Sequence, residues 1–157
     1  MNLRKRRRIL QIFHKGTDYG TPFLPSMMEW QLQAGKKLTS DSIQVNGNRY
    51  AYSAGDGGEI CNNLRGKTIV IDFDADHDDY YVQVGTKPNM TAGYGVSSVA
   101  GRITVTNKAA RQGHYHAEVV VGEDFTPANW NHYFIVALFV RSTSPNTIFT
   151  NFKCGYK

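Results

Sequence analysis

Short runs of alternating apolar and polar residues recur along the chain from Met28, and no comparable stretch shows the 3.6-residue spacing of a helix. Side chains that alternate with a period of two are typical of strands with one buried face. Glycine-rich connections, at 54–58 and 93–95, separate several of the runs. The pattern predicts an all-β fold, a sandwich or a barrel. We expect an antiparallel β-sandwich with jelly-roll connections and strands near 68–74, 80–85, 97–106, 113–121, 132–140 and 147–156.

Three segments refine this prediction. The stretch DSIQVNGNRYAY (41–52) has the pattern of a β-hairpin, in which Asn46-Gly47 supplies the positive φ angles of a type I′ turn. Residues 28–33 alternate as a further strand, with Trp30 toward the core. Residues 132–140 are apolar on both faces, which predicts that the outer face of this strand is covered as well.

The positive charge of the chain is concentrated at one end. The formal net charge is +5, but residues 1–15 alone carry six basic residues and no acid. The rest of the chain contains 12 basic and 13 acidic residues, so its formal charge is −1. Glycines and prolines then interrupt residues 16–25. We therefore expect a basic, extended docking arm over 1–26 and a β-sandwich domain over 27–157.

The arm has three interpretations, which the sequence leaves open. Its basic run could neutralise phosphates of a nucleic acid, or it could be a solvated tail. Alternatively it docks into an acidic crevice of a protein partner, where aromatic residues anchor it. The residues expected to dock are Arg4, Lys5, Arg6, Arg7, Arg8, Tyr19 and Phe23.

No run of apolar residues has the length of a membrane span, and the longest, 133–140, has eight residues. The apolar stretch after Arg8 is too short for a secretory signal. We accordingly expect a protein made in a cytoplasm and without a membrane partner. Cys61 and Cys154 are too few for a disulfide framework; they form one bond or, as we favour, remain buried thiols.

The aspartate-rich stretch IDFDADHDDYY (71–81) partly resembles a calcium loop. Asp72, Asp74 and Asp76 occupy the first three ligand positions, but His77 and Gln83 stand where an EF-hand needs glycine and glutamate. Strand alternation on both sides predicts a turn at 76–79, where aspartate side chains bind nearby backbone amides. A cation held by Asp76, Asp78 and Asp79 is the alternative.

Other patterns that would support catalysis are incomplete. His114 and His116 lie two apart on one strand face and could chelate zinc, or they are simply the polar outer face of that strand. No serine or cysteine lies in a nucleophile elbow, and no glycine-rich phosphate loop precedes a helix. We expect no enzymatic activity, no catalytic residue and no cofactor.

Aromatic rings provide a further candidate site, because flat rings stack on sugar faces while nearby polar groups bind the hydroxyls. Trp130 lies in a loop that enters a strand, and Tyr94 lies in a glycine-rich connection. Together with Tyr115 they form the predicted sugar platform.

Two stretches resemble strands of jelly rolls of the carbohydrate-binding-module type. LRGKTIVIDFDAD (64–76) is similar to a strand of that group in which a leucine, a glycine and a lysine precede an alternating run. NTIFTNFKCGYK (146–157) is similar to its final strand. The resemblance covers residues 28–157 and implies a β-sandwich fold and, as one function, carbohydrate binding.

A single jelly roll with a short basic, proline-bearing arm also resembles bacteriophage virion components, such as head decoration proteins, head-fibre bases and tail adaptors. This resemblance implies a structural or attachment protein located in the virion, which docks onto other virion proteins by its arm and forms a homo-oligomer through its body. That function is our primary expectation. A carbohydrate-binding module and a small capsid protein with a nucleic-acid-binding arm are the alternatives.

Overall fold

The computed structural model describes residues 19–53, 61–87, 103–104, 109–121 and 133–157. Within these ranges the chain is almost entirely β-structure, with short 3-10 turns at Met27–Glu29 and Cys61–Leu64. None of the helical segments described here has the length and apolarity to cross a membrane. The strands are β1 Thr21–Pro22, β2 Gln31–Leu32, β3 Gly35–Thr39, β4 Ser42–Val45, β5 Arg49–Tyr52, β6 Thr68–Ala75, β7 Tyr80–Lys87, β8 Ile103–Thr104, β9 Gly113–Val120, β10 Tyr133–Val140 and β11 Thr147–Tyr156.

The strands form two antiparallel sheets that pack face to face, so the predicted β-sandwich is confirmed. Sheet A has the order β3-β4-β11-β6-β9, and β1 also pairs with β11. Sheet B has the order β2-β5-β10-β7-β8. From β4 onward, every consecutive pair of described strands except β7–β8 lies in different sheets, which is the connectivity of a jelly roll.

The predicted hairpin at 41–52 is wrong. β4 pairs with β3 and β11, whereas β5 pairs with β2 and β10 in the other sheet. Asn48 has a positive φ of 63°, and its N–H donates to the carbonyl of Val140 at 2.8 Å. The turn therefore connects the two sheets. Ile43 on β4 and Ala51 on β5 enter the core from opposite sides. The hairpin of this region joins β3 to β4 instead.

The centre of the core is a cluster of aromatic rings around Phe73. Its ring stacks on Tyr115 at 4.8 Å between centroids and 15° between planes. Tyr80, Phe149 and Phe152 surround it at centroid distances of 5.8, 5.6 and 5.9 Å. Phe73 has no exposed surface. This β6 residue therefore lies at the centre of the core, in contact with rings from strands of both sheets.

Three buried positions agree with the sequence predictions. Trp30 is only 1% exposed and belongs to the core, although its backbone ends a 3-10 turn rather than lying within a strand. Cys154 is a buried free thiol, and burial raises its pKa. On the outer face of β10, Ile135 and Ala137 form a second buried cluster with Tyr52, so this part of the face is covered as predicted, whereas Phe139 is only half-buried.

The described part of the predicted arm, residues 19–26, packs against the sandwich. β1 pairs with β11 beside Gly155, where an added Cβ would meet the Tyr19 carbonyl oxygen. Phe23, expected to anchor a partner, lies in the chain's own core. The reason is that β4 covers only the first half of β11, which leaves an open edge for this segment. Arg4–Arg8 lie outside the described residues.

Candidate functional site

The outer face of sheet A brings together two motifs that are far apart in the sequence. Asp72 and Asp74 on β6 lie opposite His116 and His114 on β9. One oxygen of Asp72 lies 3.0 Å from His114 Nε2 and 2.9 Å from His116 Nδ1. Asp74 Oδ1 lies 2.9 Å from His114 Nδ1. These four side chains form the His–Asp cluster.

The cluster requires a protonated imidazole at its centre. Both ring nitrogens of His114 face carboxylate oxygens, and a neutral imidazole can donate from only one of them. Accordingly, the hydrogen bond to Asp74 raises the pKa of His114, and bonds from Asn151 and His114 lower the pKa of Asp74. Asp72 is only 3% exposed and also accepts a hydrogen bond from the Tyr19 hydroxyl at 3.3 Å. The His–Asp cluster is thus an ion-pair network on the sheet surface.

Replacing Asp74 by asparagine is expected to lower the pKa of His114 toward its ordinary value. The raised His114 pKa stabilises the fold below about 6.5, the ordinary value of histidine, and this contribution is lost as pH rises through the raised value. The lowered pKa of Asp74 likewise stabilises the fold at pH values above the ordinary pKa of aspartate. This stabilisation is lost as pH falls through the lowered pKa. NMR titration of the His114 ring protons measures the shift, with exposed Glu29→Gln as the control. An unchanged His114 pKa in D74N would contradict the network.

The described residues contain no group of three or more histidine, cysteine or acidic side chains arranged to hold a metal ion. In the turn at 76–79, two carboxylates bind backbone amides of distant segments rather than the nearby amides that were predicted. Asp76 accepts from the N–H of Ile148 at 2.7 Å, and Asp78 accepts from the N–H of Gln112 at 2.6 Å. This turn connects β6 to β7 across the two sheets.

The outer face of sheet B carries a row of three aromatic rings. Phe139 on β10 is the register partner of both Tyr50 on β5 and Tyr81 on β7. Its ring centroid lies 4.4 Å from that of Tyr50 and 6.3 Å from that of Tyr81. All three residues are half-buried. This aromatic row is a continuous strip of partly accessible apolar surface across three strands.

Amide and hydroxyl groups lie beside the aromatic row. The Tyr52 hydroxyl donates to Gln31 Oε1 at 3.0 Å, and Gln83 lies opposite Ala137 on the next strand. The guanidinium carbon of Arg141 lies 5.6 Å from the ring centre of Tyr81. Rings and hydrogen-bonding groups side by side are the chemistry that a hydroxyl-rich ligand requires.

Tyr115 is the one residue of the predicted sugar platform that the structure describes, so the platform stays a prediction. Trp130 and Tyr94 lie outside the described residues. Tyr115 faces the core, where burial raises its pKa to about 12. The residues of the aromatic row have one sequence signal, because Tyr50, Tyr81 and Phe139 each occupy the outward parity of a strand. Their strands are adjacent only in the folded sheet.

No protein-family model matches the chain, and no curated protein matches it either. Among solved structures, the chain is similar to the CBM22-1 and GH10 modules of an endo-1,4-beta-D-xylanase from Clostridium thermocellum, complexed with xylohexaose. The TM-score is 0.51 at 11% identity, over 90% of this chain and 29% of that one. The CBM22-1 xylan-binding domain from Paenibacillus barcinonensis gives 0.48 at 12% identity, over 89% and 97%. Tailspike protein 4 of bacteriophage CBA120 gives 0.48 at 13% identity, over 90% and 21%.

At such identities the likeness is one of fold alone. The structural neighbours are mostly β-sandwiches of carbohydrate-binding modules.

Proposed function

We propose that this protein binds a polysaccharide on the outer face of sheet B. The observation that carries the proposal is the aromatic row, which places Tyr50, Phe139 and Tyr81 side by side and half-exposed. The exposed parts of the rings contact the C–H faces of sugar units. The neighbouring amides of Gln31 and Gln83 bond to their hydroxyl groups.

The proposed function is binding rather than catalysis. The described polar groups beside the aromatic row are amides, a phenol and a guanidinium, and the described strands of sheet B carry no carboxylate or imidazole. The carboxylates and imidazoles of the His–Asp cluster lie on the opposite sheet. Among the described residues, the strands of sheet B thus offer groups that bind a ligand but no carboxylate or imidazole for acid–base catalysis.

The test is direct measurement of binding by the full chain to a panel of soluble and insoluble polysaccharides. Affinity electrophoresis identifies the soluble polymers that retard the protein, and calorimetry then measures the dissociation constants. We expect at least one polysaccharide to bind saturably. Absence of binding across neutral and charged polymers would exclude the function.

A virion attachment role is the second proposal, and polysaccharide binding is compatible with it. Its support is the concentration of positive charge in residues 1–15, followed by a segment that is anchored on β11. In this proposal the basic residues dock onto other virion proteins, the body forms a homo-oligomer, and sheet B remains available to a glycan.

Deleting residues 2–15 is expected to abolish incorporation into the particle while the body stays folded. The packed segment that begins at Tyr19 remains in this variant, so the sandwich keeps its contacts with β11. Incorporation is measured in purified particles, and glycan binding of the same variant serves as the folding control. Normal incorporation would exclude docking through the arm. Nucleic-acid binding that falls steeply with salt and is lost in the variant would favour the capsid-arm alternative.

A further inference from the structure

The two sheets differ in charge. The strands of sheet A contain three acidic residues, Asp72, Asp74 and Glu118. The five described strands of sheet B contain none, although they include Arg49. The sheet that carries the aromatic row therefore offers no strand carboxylate to repel an anion or to neutralise a nearby cation.

Arg141 adds a positive charge at one end of the aromatic row. It lies two residues beyond Phe139 and continues the same outward parity, and its N–H donates to the carbonyl of Asp79 at 3.1 Å. Its exposed guanidinium rests over the ring of Tyr81. Within the described part of the chain no carboxylate lies within 4.0 Å of it, and Asp78 contacts Arg111 instead.

A guanidinium held over an aromatic ring keeps its N–H donors available at the ring edge. Its planar, five-donor fork matches the two oxygens of a carboxylate, and stacking on the ring reduces the freedom that binding would cost. A ligand that lies along the aromatic row would bring its substituents to this guanidinium. A neutral polysaccharide has no anionic group that could pair with the positive charge of Arg141.

We propose that the aromatic row recognises an acidic polysaccharide, with a uronate carboxylate paired to Arg141 beside Tyr81. The inference rests on the proposed function and names its ligand class. The rings contact the sugar faces, the amides of Gln31 and Gln83 bond to hydroxyls, and Arg141 selects the anionic sugar unit.

The test compares each acidic polymer with its carboxyl-reduced form, which keeps the sugar chain and loses the charge. Polygalacturonate and alginate are the probes, and dextran sulfate against dextran separates sulfate from carboxylate. We expect the full chain to bind one native uronate polymer at least about tenfold more tightly than its reduced form. This preference should shrink as salt is raised.

Arg141→Gln is expected to abolish the preference and to leave affinity for the reduced polymer unchanged. Arg49→Gln is the matched control, because it removes an equal charge from a residue whose guanidinium bonds to the Asn48 carbonyl. Equal binding of native and reduced polymers, or a preference that persists in R141Q, would overturn the inference and leave polysaccharide binding intact. A preference for dextran sulfate alone would overturn the uronate assignment. Binding to no polysaccharide, or only to single-stranded nucleic acid, would overturn the proposed function itself.

Discussion

Replacing Phe73 by alanine is expected to lower the free energy of unfolding by about 3–5 kcal/mol, the usual cost of truncating a buried phenylalanine. Phe73 has no exposed surface and contacts four other rings, two of them in stacked geometry. Its neighbours lie on strands of both sheets, so they cannot close the cavity without moving the sheets. Urea unfolding followed by tryptophan fluorescence measures the change.

A second observable localises the effect of this substitution. Burial raises the pKa of Tyr115 to about 12, and the stacked ring of Phe73 forms part of that burial. In the alanine variant water reaches the phenol more readily, so its pKa should fall toward the ordinary value of tyrosine. Phe73→Leu, which fills most of the space, should cost less. A loss below about 1 kcal/mol in F73A would contradict the central place of this ring in the core.

Replacing Tyr50 and Tyr81 together by alanine is expected to abolish measurable polysaccharide binding. The two tyrosines flank Phe139, and their removal leaves a single ring of the aromatic row. If each ring contributes about 1.4 kcal/mol independently, the double variant binds about 100-fold more weakly than the intact chain. Calorimetry with the tightest polysaccharide ligand provides the measurement.

The control for this variant lies on the other sheet. His116→Ala combined with Val120→Ala removes two exposed side chains from β9, where no contact with the proposed ligand is expected. Both double variants must keep the circular dichroism and unfolding midpoint expected of a folded sandwich. Unchanged affinity in Y50A/Y81A would show that the polysaccharide binds elsewhere than on the aromatic row.

Strand positions were predictable because their signal is local. β6, β9, β10 and β11 begin and end within one residue of the segments that alternation predicted. The outward placement of His114 and His116 on β9 is likewise confirmed, since a period of two assigns faces without reference to any partner. β3 was missed because all five of its residues are exposed and give no apolar signal.

Strand pairing was not predictable in the same way. Asn46-Gly47 has the composition of a tight hairpin turn, yet its flanking strands belong to different sheets. The local pattern is identical in both arrangements, because each strand buries one face in either of them. Ile43 and Ala51 are both buried in the core between the two sheets. The free energy of this burial favours the crossing connection over the hairpin.

The candidate sites show the same difference between what local sequence patterns predict and what strand pairing decides. The aspartates of β6 and the histidines of β9 were visible in the sequence as separate motifs. For Tyr50, Phe139 and Tyr81 the sequence showed only the outward parity of each residue, not that the three rings form a row. Composition and alternation by themselves determined the all-β class, the strand positions and the face that each side chain occupies. Only the tertiary structure decided which strands are neighbours, and therefore which outward side chains meet. The reason is that alternation is a property of adjacent residues, whereas register between distant strands follows from how the whole apolar surface is buried.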